Sequence, residues 1–181
     1  TNDSDIKVYL DAWYATNLAN YSSYISDSLF CNNRSLKVPT PNGFNNLGYG
    51  RNDTAYHSHG ETPGVLFCAN QNDRFTVDDE IFGNGDLTYP IGLLTTDEVY
   101  IAGAGEFSNY NYYLYTGNQY WTMTPSTFGE ASAHISAVST SGTLTGKAVY
   151  HDDNGVRPVI NLKSGVLNSG TGVWNDPYKI S

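Results

Sequence analysis

Three groups of side chains have the types and spacing that chemistry needs. His57 and His59 lie two residues apart, which on a strand turns both imidazoles to one side, and Glu61 follows closely. Those donors suit a zinc-type site, but the setting is polar and flanked by glycine, which favours a surface loop over a metal centre. Asp78, Asp79, Glu80, Asn84 and Asp86 offer oxygen ligands for calcium. Their spacing is not that of the EF-hand loop, and a solvated acidic turn is the favoured reading. The expectation is therefore no cofactor, with calcium the one ion left open. His134 has the chemistry of a general base, yet no partner is visible in sequence, and an exposed or ligand-contacting histidine is favoured.

The remaining catalytic patterns are missing. No serine lies in a GxSxG elbow, neither cysteine has a Cys/His signature beside it, and no Gly-rich phosphate loop occurs. Carboxylate pairs of the glycosidase kind are defined in space rather than in sequence, and nothing singles one out. The chain reads as a non-enzyme.

Charged residues are only 15% of the 181 residues, so the polar surface must be built from Asn, Ser, Thr and 15 tyrosines. Tyr-rich, weakly charged surfaces suit recognition, because Tyr offers contact area at low entropic cost. The net charge is −9 and no Lys/Arg cluster occurs, which disfavours nucleic acid and anionic membranes as partners. No apolar run is long enough to span a bilayer, and no lipidation motif is seen, so direct membrane insertion is not expected. The chain opens on a helix-like segment without a signal peptide, as expected of a mature or trimmed ectodomain with its anchor upstream.

Cys31 and Cys68 mean one disulfide or two free thiols. Each follows a Phe at the end of an apolar stretch, neither has CxxC spacing, and the extracellular look of the chain favours a single structural disulfide. Its loop would be worth about 3–4 kcal/mol in a chain-entropy treatment. The enclosed segment is rich in Gly, Asn and Pro and could not order itself by burial.

The elements that must position these groups make one α+β domain over 1–181, with no internal repeat and no linker. Ile6, Leu10 and Trp13 recur at helical spacing over 4–17, and Leu18, Tyr21, Ile25 and Leu29 continue as a second short helix, so that 1–30 is a helical segment. Residues 32–64 read as loop, and Asn84-Gly85-Asp86 as a turn. After the apolar run at 91–94, Thr95 and Glu98 form a capping box opening a helix that Gly103 and Gly105 close. Strands are predicted around 112–115 and 120–123. Further on, Ala133, Ile135 and Ala137 alternate with Ser132, His134 and Ser136. Beyond a turn at Ser141-Gly142, Leu144, Gly146 and Ala148 alternate with Thr143, Thr145 and Lys147. Period-2 alternation on both sides of a turn predicts a hairpin with one core face and one solvent face. A turn at 152–155 leads to a strand over 156–162, broken or edge-like at Pro158.

Two resemblances add to this reading. Leu94-Thr95-Thr96-Asp97-Glu98-Val99-Tyr100-Ile101-Ala102 resembles the LPTEAEWEYA segment of formylglycine-generating-enzyme-like domains of the C-type-lectin-like superfamily. Gly155-Val156-Arg157-Pro158-Val159 resembles their terminal GFR strand, and Trp121 stands where a core Trp strand is expected. The oxidase members need cysteines in the C-terminal part, and this chain has none after Cys68, so that activity is not implied. A closer resemblance, to surface proteins of gut Firmicutes, some with pilin-type N-terminal segments, covers most of the chain. It is carried by Trp13-Tyr14, Phe30-Cys31-Asn32-Asn33-Arg34-Ser35, Phe67-Cys68, 87–93, 112–117, 120–126 and 155–163.

These resemblances imply a C-type-lectin-like fold, with N-terminal helices, a small twisted antiparallel sheet and long irregular loops, on an extracellular bacterial surface protein. In related lectin-like families, diversity-generating retroelements hypermutate codons just before the terminal strand, which here is about 127–154. The residues expected to bind a protein or glycan on another cell, a host or a phage are Thr127, Phe128, Glu130, Ser132, His134, Ser136, Thr145, Lys147, Tyr150, His151, Asp152 and Asp153. The alternative role is a structural pilin or surface-layer head whose partners are pilus subunits, with a hydrolase a more distant reading.

Overall fold

A serine before an amphipathic run starts the first helix. In the computed structural model, which describes residues 3–35, 45–46, 64–128 and 131–180, α1 spans Asp5–Asn17 and Ser4 accepts the Lys7 N–H as its cap. Lys7 and Asp11, one turn apart, form an ion pair along it. The helix buries Leu10 and Tyr14, with Ile6 and Trp13 packed beside them. The second predicted helix is instead a 3-10 turn over Ala19–Tyr24 with no buried residue. Its apolar residues are too few and too near the Asn/Ser run to bury a helical stripe. Ile25 goes inward from a strand, β1 (Ile25–Ser26).

β2 (Phe30–Cys31) pairs antiparallel with β4 (Arg74–Phe75), and between them in sequence β3 (Asn45–Asn46) joins the main sheet. That strand corrects the loop reading there. The rest of 36–63, with His57, His59 and Glu61, lies outside the described residues. The capping box forms as predicted: Thr95 Oγ1 accepts the Glu98 N–H, and Glu98 Oε2 accepts the Thr95 N–H, opening α2 (Thr96–Ile101). Gly103, at φ +121°, turns the chain out of that helix.

The main sheet runs β3-β5-β6-β7, with β5 at Tyr120–Phe128, β6 at Ala133–Val138 and β7 at Leu144–Ala148. Tyr120, Val138 and Leu144 pack with Val99, Ala104, Tyr112 and Leu114. Trp121 and Ala137 pack instead with Leu10, Tyr14, Ile25, Ile91 and Leu93. Each pair Tyr120–Val138 and Trp121–Ala137 is in direct register, so the two clusters lie on opposite faces of one sheet. This end of the hairpin is therefore covered on both sides, and the expected open solvent face is absent there.

Residues 112–115 form a turn rather than a strand, with the Tyr112 and Leu114 side chains buried and the Tyr115 N–H bonded to the Tyr112 carbonyl at 3.0 Å. The predicted strand over 156–162 is shorter than expected. β8 (Asn161–Leu162) pairs with β1, Val159 bridges Gly92 alone, and Pro158, lacking an N–H, sits at the break. A C-terminal hairpin of β9 (Leu167–Ser169) and β10 (Lys179–Ile180) was not signalled by the alternation. Helices and small antiparallel sheets together make an α+β fold. No helix among the described residues is long and apolar enough to cross a membrane.

Candidate functional site

The residues expected to bind a ligand are set by the register of the β6–β7 hairpin. A two-residue turn at Ser141-Gly142 would pair odd with even positions and put Ser132, His134 and Ser136 on the face of Thr145 and Lys147. Val138 instead pairs with Leu144 across a five-residue loop, and even positions pair with even: His134 with Ala148, Ser136 with Gly146. The loop is held by Ser139 Oγ, which accepts the N–H groups of Ser141 and Thr143. Gly142 sits at φ +77° where a Cβ would lie 2.0 Å from the Asn109 carbonyl oxygen. The predicted solvent face is thereby split, with His134 and Ser136 on one side and Thr145 and Lys147 on the other.

The two sides have different environments. Ser136 is buried, and its carbonyl accepts the Thr122 hydroxyl at 2.6 Å, so it belongs to the frame and is not an outward residue. It lies among buried hydroxyls at Thr96, Thr122, Thr124 and Ser126. Thr124 Oγ1 accepts the Thr96 N–H, tying α2 to β5. The period-2 run Thr122, Thr124, Ser126 was the available signal for this polar seam. His134 is half-buried, and its Nδ1 is buried with no hydrogen-bond partner among the described residues. Thr127 and Ser132 are half-buried, Phe128 is exposed, and Glu130 lies outside the described residues.

Lys147, opposite Ile135, places Nζ 3.4 Å from both Gln119 Oε1 and Asp153 Oδ2, while Thr145 is half-buried opposite Ala137. Gln119, absent from the sequence reading, also donates to the Asp153 carbonyl at 2.7 Å. Tyr150 and His151 are exposed and tilted against each other with ring centroids 4.9 Å apart, and Asp152 and Asp153 are exposed beside them. Phe128 pairs with Ala133, whose carbonyl in turn accepts the Val149 N–H. The structure thus brings Phe128 and Val149 to one end of the sheet, and the loop after Val149 returns to Gln119, before Tyr120 at the other end of β5.

The loop ends on a fixed point. The Gly155 N–H donates to the Gln119 carbonyl, and its own carbonyl accepts the Trp121 N–H, both at 3.0 Å. Arg157 lies over the Tyr120 ring at 5.2 Å and donates to the Leu114 carbonyl. Burial, chiefly, raises the Tyr120 and Tyr112 hydroxyls above the ordinary range, so both remain neutral donors. Tyr120 Oη donates to the Leu114 carbonyl and Tyr112 Oη to that of Gly142.

The Gln119 amide first, and the Lys147 ammonium after it, hold the Asp153 carboxyl below its ordinary value of 3.8. A carboxyl whose pKa is depressed on folding adds stability above its unfolded pKa and loses it as pH falls through the folded one. Because the Asp153 side chain is exposed to solvent, the contribution to stability is small. In an NMR titration the Asp153 carboxyl is expected to have its midpoint below 3.8, and Gln119→Ala should move it back toward that value. An identical midpoint in both proteins would mean that this clamp does not form.

The acidic turn is occupied with its own backbone. Asp79 Oδ1 accepts the N–H groups of Ile81 and Phe82, and Asn84 Oδ1 accepts that of Asp86. Asp27 accepts three N–H groups from 77–79 at 2.7–3.2 Å and fastens this turn to the chain after α1. Among the described residues no three His, Cys, Asp or Glu side chains are grouped to hold a metal ion. Cys31 and Cys68 form a disulfide, with Cα atoms 5.7 Å apart.

No protein family, no curated protein and no solved structure matches this chain.

Proposed function

We propose that the chain is an exported, non-catalytic surface domain on a C-type-lectin-like scaffold, which binds a protein or glycan through the end of its main sheet. The observation that carries this reading is the contrast between frame and rim. The hairpin is packed on both faces near Val138 and Leu144, while Phe128 is exposed at its other end and Tyr150, His151, Asp152 and Asp153 stand exposed in the loop that leads from Ala148 back to Gly155 beside Tyr120. Side chains there can change without touching either core, which is how a scaffold varies specificity while keeping its fold. The disulfide is compatible with an oxidising, extracellular setting.

The contact surface is thus narrower than the twelve positions of the sequence reading. Ser136 drops out, and Phe128, Lys147, Tyr150 and His151 lead. On arrays of host and bacterial glycans, and on intact cells, the wild-type chain should give specific binding. Combined Lys147→Ala, Tyr150→Ala and His151→Ala should lower affinity by about thirtyfold, the effect of losing one aromatic hot spot, with the melting temperature unchanged. Absence of wild-type binding, or binding undiminished in the variant, overturns the assignment. Diversification has its own genetic test: a neighbouring reverse transcriptase with a near-copy of codons 127–157 differing at adenines.

A further inference from the structure

The disulfide stands at the edge of a cleft that the proposed rim does not use. The cleft has a volume of about 170 Å³, with Phe30 and Leu93 buried in its floor and Leu66 and Phe67, each 69% exposed, at its mouth. Its walls are fixed before any ligand arrives. The Phe30 ring lies so close to Gly92 that a Cβ there would stand 2.6 Å from it, and Phe30 is held in register with Phe75. Met123, also in the wall, donates its N–H to the Leu94 carbonyl at 2.8 Å. Preformed walls spare a ligand the cost of ordering its site.

One side of this apolar cleft is acidic. Asp97 and Glu98 both line it, from the first turn of α2. Asp97 Oδ1 accepts the Val65 N–H at 2.8 Å, and Glu98 Oε2 accepts the Thr95 N–H and hydroxyl. These donors are neutral, so they position the two carboxylates without cancelling their charge. No Lys or Arg lines the cleft among the described residues. Arg74, over the Phe67 ring, is committed to the Cys68, Ala69 and Phe82 carbonyls, and Arg34 pairs with Asp73.

That combination selects among ligand classes. An anion meets two like charges, and an inorganic cation meets an apolar lining where it needs water or oxygen ligands. A neutral apolar molecule would strip water from the carboxylates and offer them nothing in return. A cation on a hydrocarbon stem satisfies both surfaces, with its methylenes against Phe30, Phe67 and Met123 and its charge at the carboxylates. Size agrees. A cavity of about 150 Å³ holds benzene, and an unbranched amine of about six heavy atoms is comparable, whereas drug-sized sites run to roughly 300–1,000 Å³.

We propose that this cleft binds one alkylammonium group, carried either by a free aliphatic amine or by a lysine side chain of a peptide. The two sources share the chemistry and differ only in what the far end of the stem carries.

Met123 is the one methionine in the 181 residues, so protein labelled at the methionine methyl gives a single NMR signal, and it reports on the cleft. On addition of n-pentylamine near neutral pH this signal should shift and saturate, with a roughly millimolar Kd for so small a ligand. Pentanol and pentanoate, of the same length, should bind at least about tenfold more weakly, the usual worth of one charge-assisted contact. Glu98→Gln removes a charge, keeps a side chain able to close the capping box, and should weaken pentylamine by about tenfold. Should that variant unfold, the comparison of the three probes on the wild type decides alone. N-acetyl-lysine methylamide binding as tightly as pentylamine assigns the site to peptides, and binding of pentylamine alone assigns it to free amines. The proposal is overturned by a Met123 signal that neither amine moves, by pentanol or pentanoate binding as tightly as pentylamine, or by an affinity unchanged in Glu98→Gln. The combined Lys147, Tyr150 and His151 variant should bind pentylamine normally, so failure of the rim and failure of the cleft are distinguishable.

Discussion

Trp121→Ala should be the most damaging single truncation in the chain, lowering stability by about 3–5 kcal/mol, the usual loss for a buried aromatic. For a chain of this length that corresponds to a fall of about 6–20 °C in melting temperature. Trp121 is only 6% exposed and stands where β5, α1, Ile25 and the 91–93 segment meet. Its neighbours cannot close the gap easily. Ala137 opposite it is small and in fixed register, and the Trp121 N–H is bonded to Gly155. Tyr150→Ala removes a comparable ring from the 73%-exposed rim and should change stability by less than about 0.5 kcal/mol. Calorimetry on the two variants therefore measures the separation of frame from rim directly. Equal losses would show that the 149–153 loop is part of the core, and the binding surface proposed for it would have no freedom to vary.

How far the sequence disclosed this arrangement depends on the range of the interactions involved. The first helix, the capping box and the hairpin strands were legible because their determinants are local: Ser4 three residues before Lys7, Thr95 three before Glu98, and strict alternation from Ser132 to Ala137. Which side of the hairpin faced what was not legible. Parity depends on loop length, and Ser141-Gly142 is a strong enough turn signal to hide the wider loop that Ser139 organises. Alternation by itself implies one dry face. Small residues such as Ala137 and Gly146, and the hydroxyl of Ser136, allow both faces to be covered. Residues 112–115 read as a strand from their tyrosines. Their conformation follows instead from contacts distant in sequence, Tyr112 to Gly142 and Leu114 to Arg157. Gln119 gave no signal, since an isolated glutamine acquires its role only when the chain returns with Lys147 and Asp153.

Opening the Cys31–Cys68 disulfide should cost about 3–4 kcal/mol, because the reduced unfolded chain regains the freedom of the loop that the bond closes. The loss should not spread through the molecule. Cys31 lies in the short β2–β4 pair, where Phe30 and Phe75 remain in register and the Asn32 N–H still reaches the Asp73 carbonyl. Asp73 is itself buried and held by Arg34 Nε at 2.7 Å, and Arg74 fastens the Cys68 carbonyl. These contacts fix the neighbourhood of the staple without it, and neither sheet cluster includes either cysteine. Urea unfolding of the native protein and of the Cys31→Ser, Cys68→Ser double variant should therefore give a lower midpoint with an intact far-ultraviolet spectrum before the transition. The two curves coinciding would show that the bond adds nothing to folding. Tyr150 and His151, in the loop after β7, should keep their ligand affinity. The bond thus stabilises the surroundings of the β2–β4 pair and leaves the residues proposed for recognition untouched.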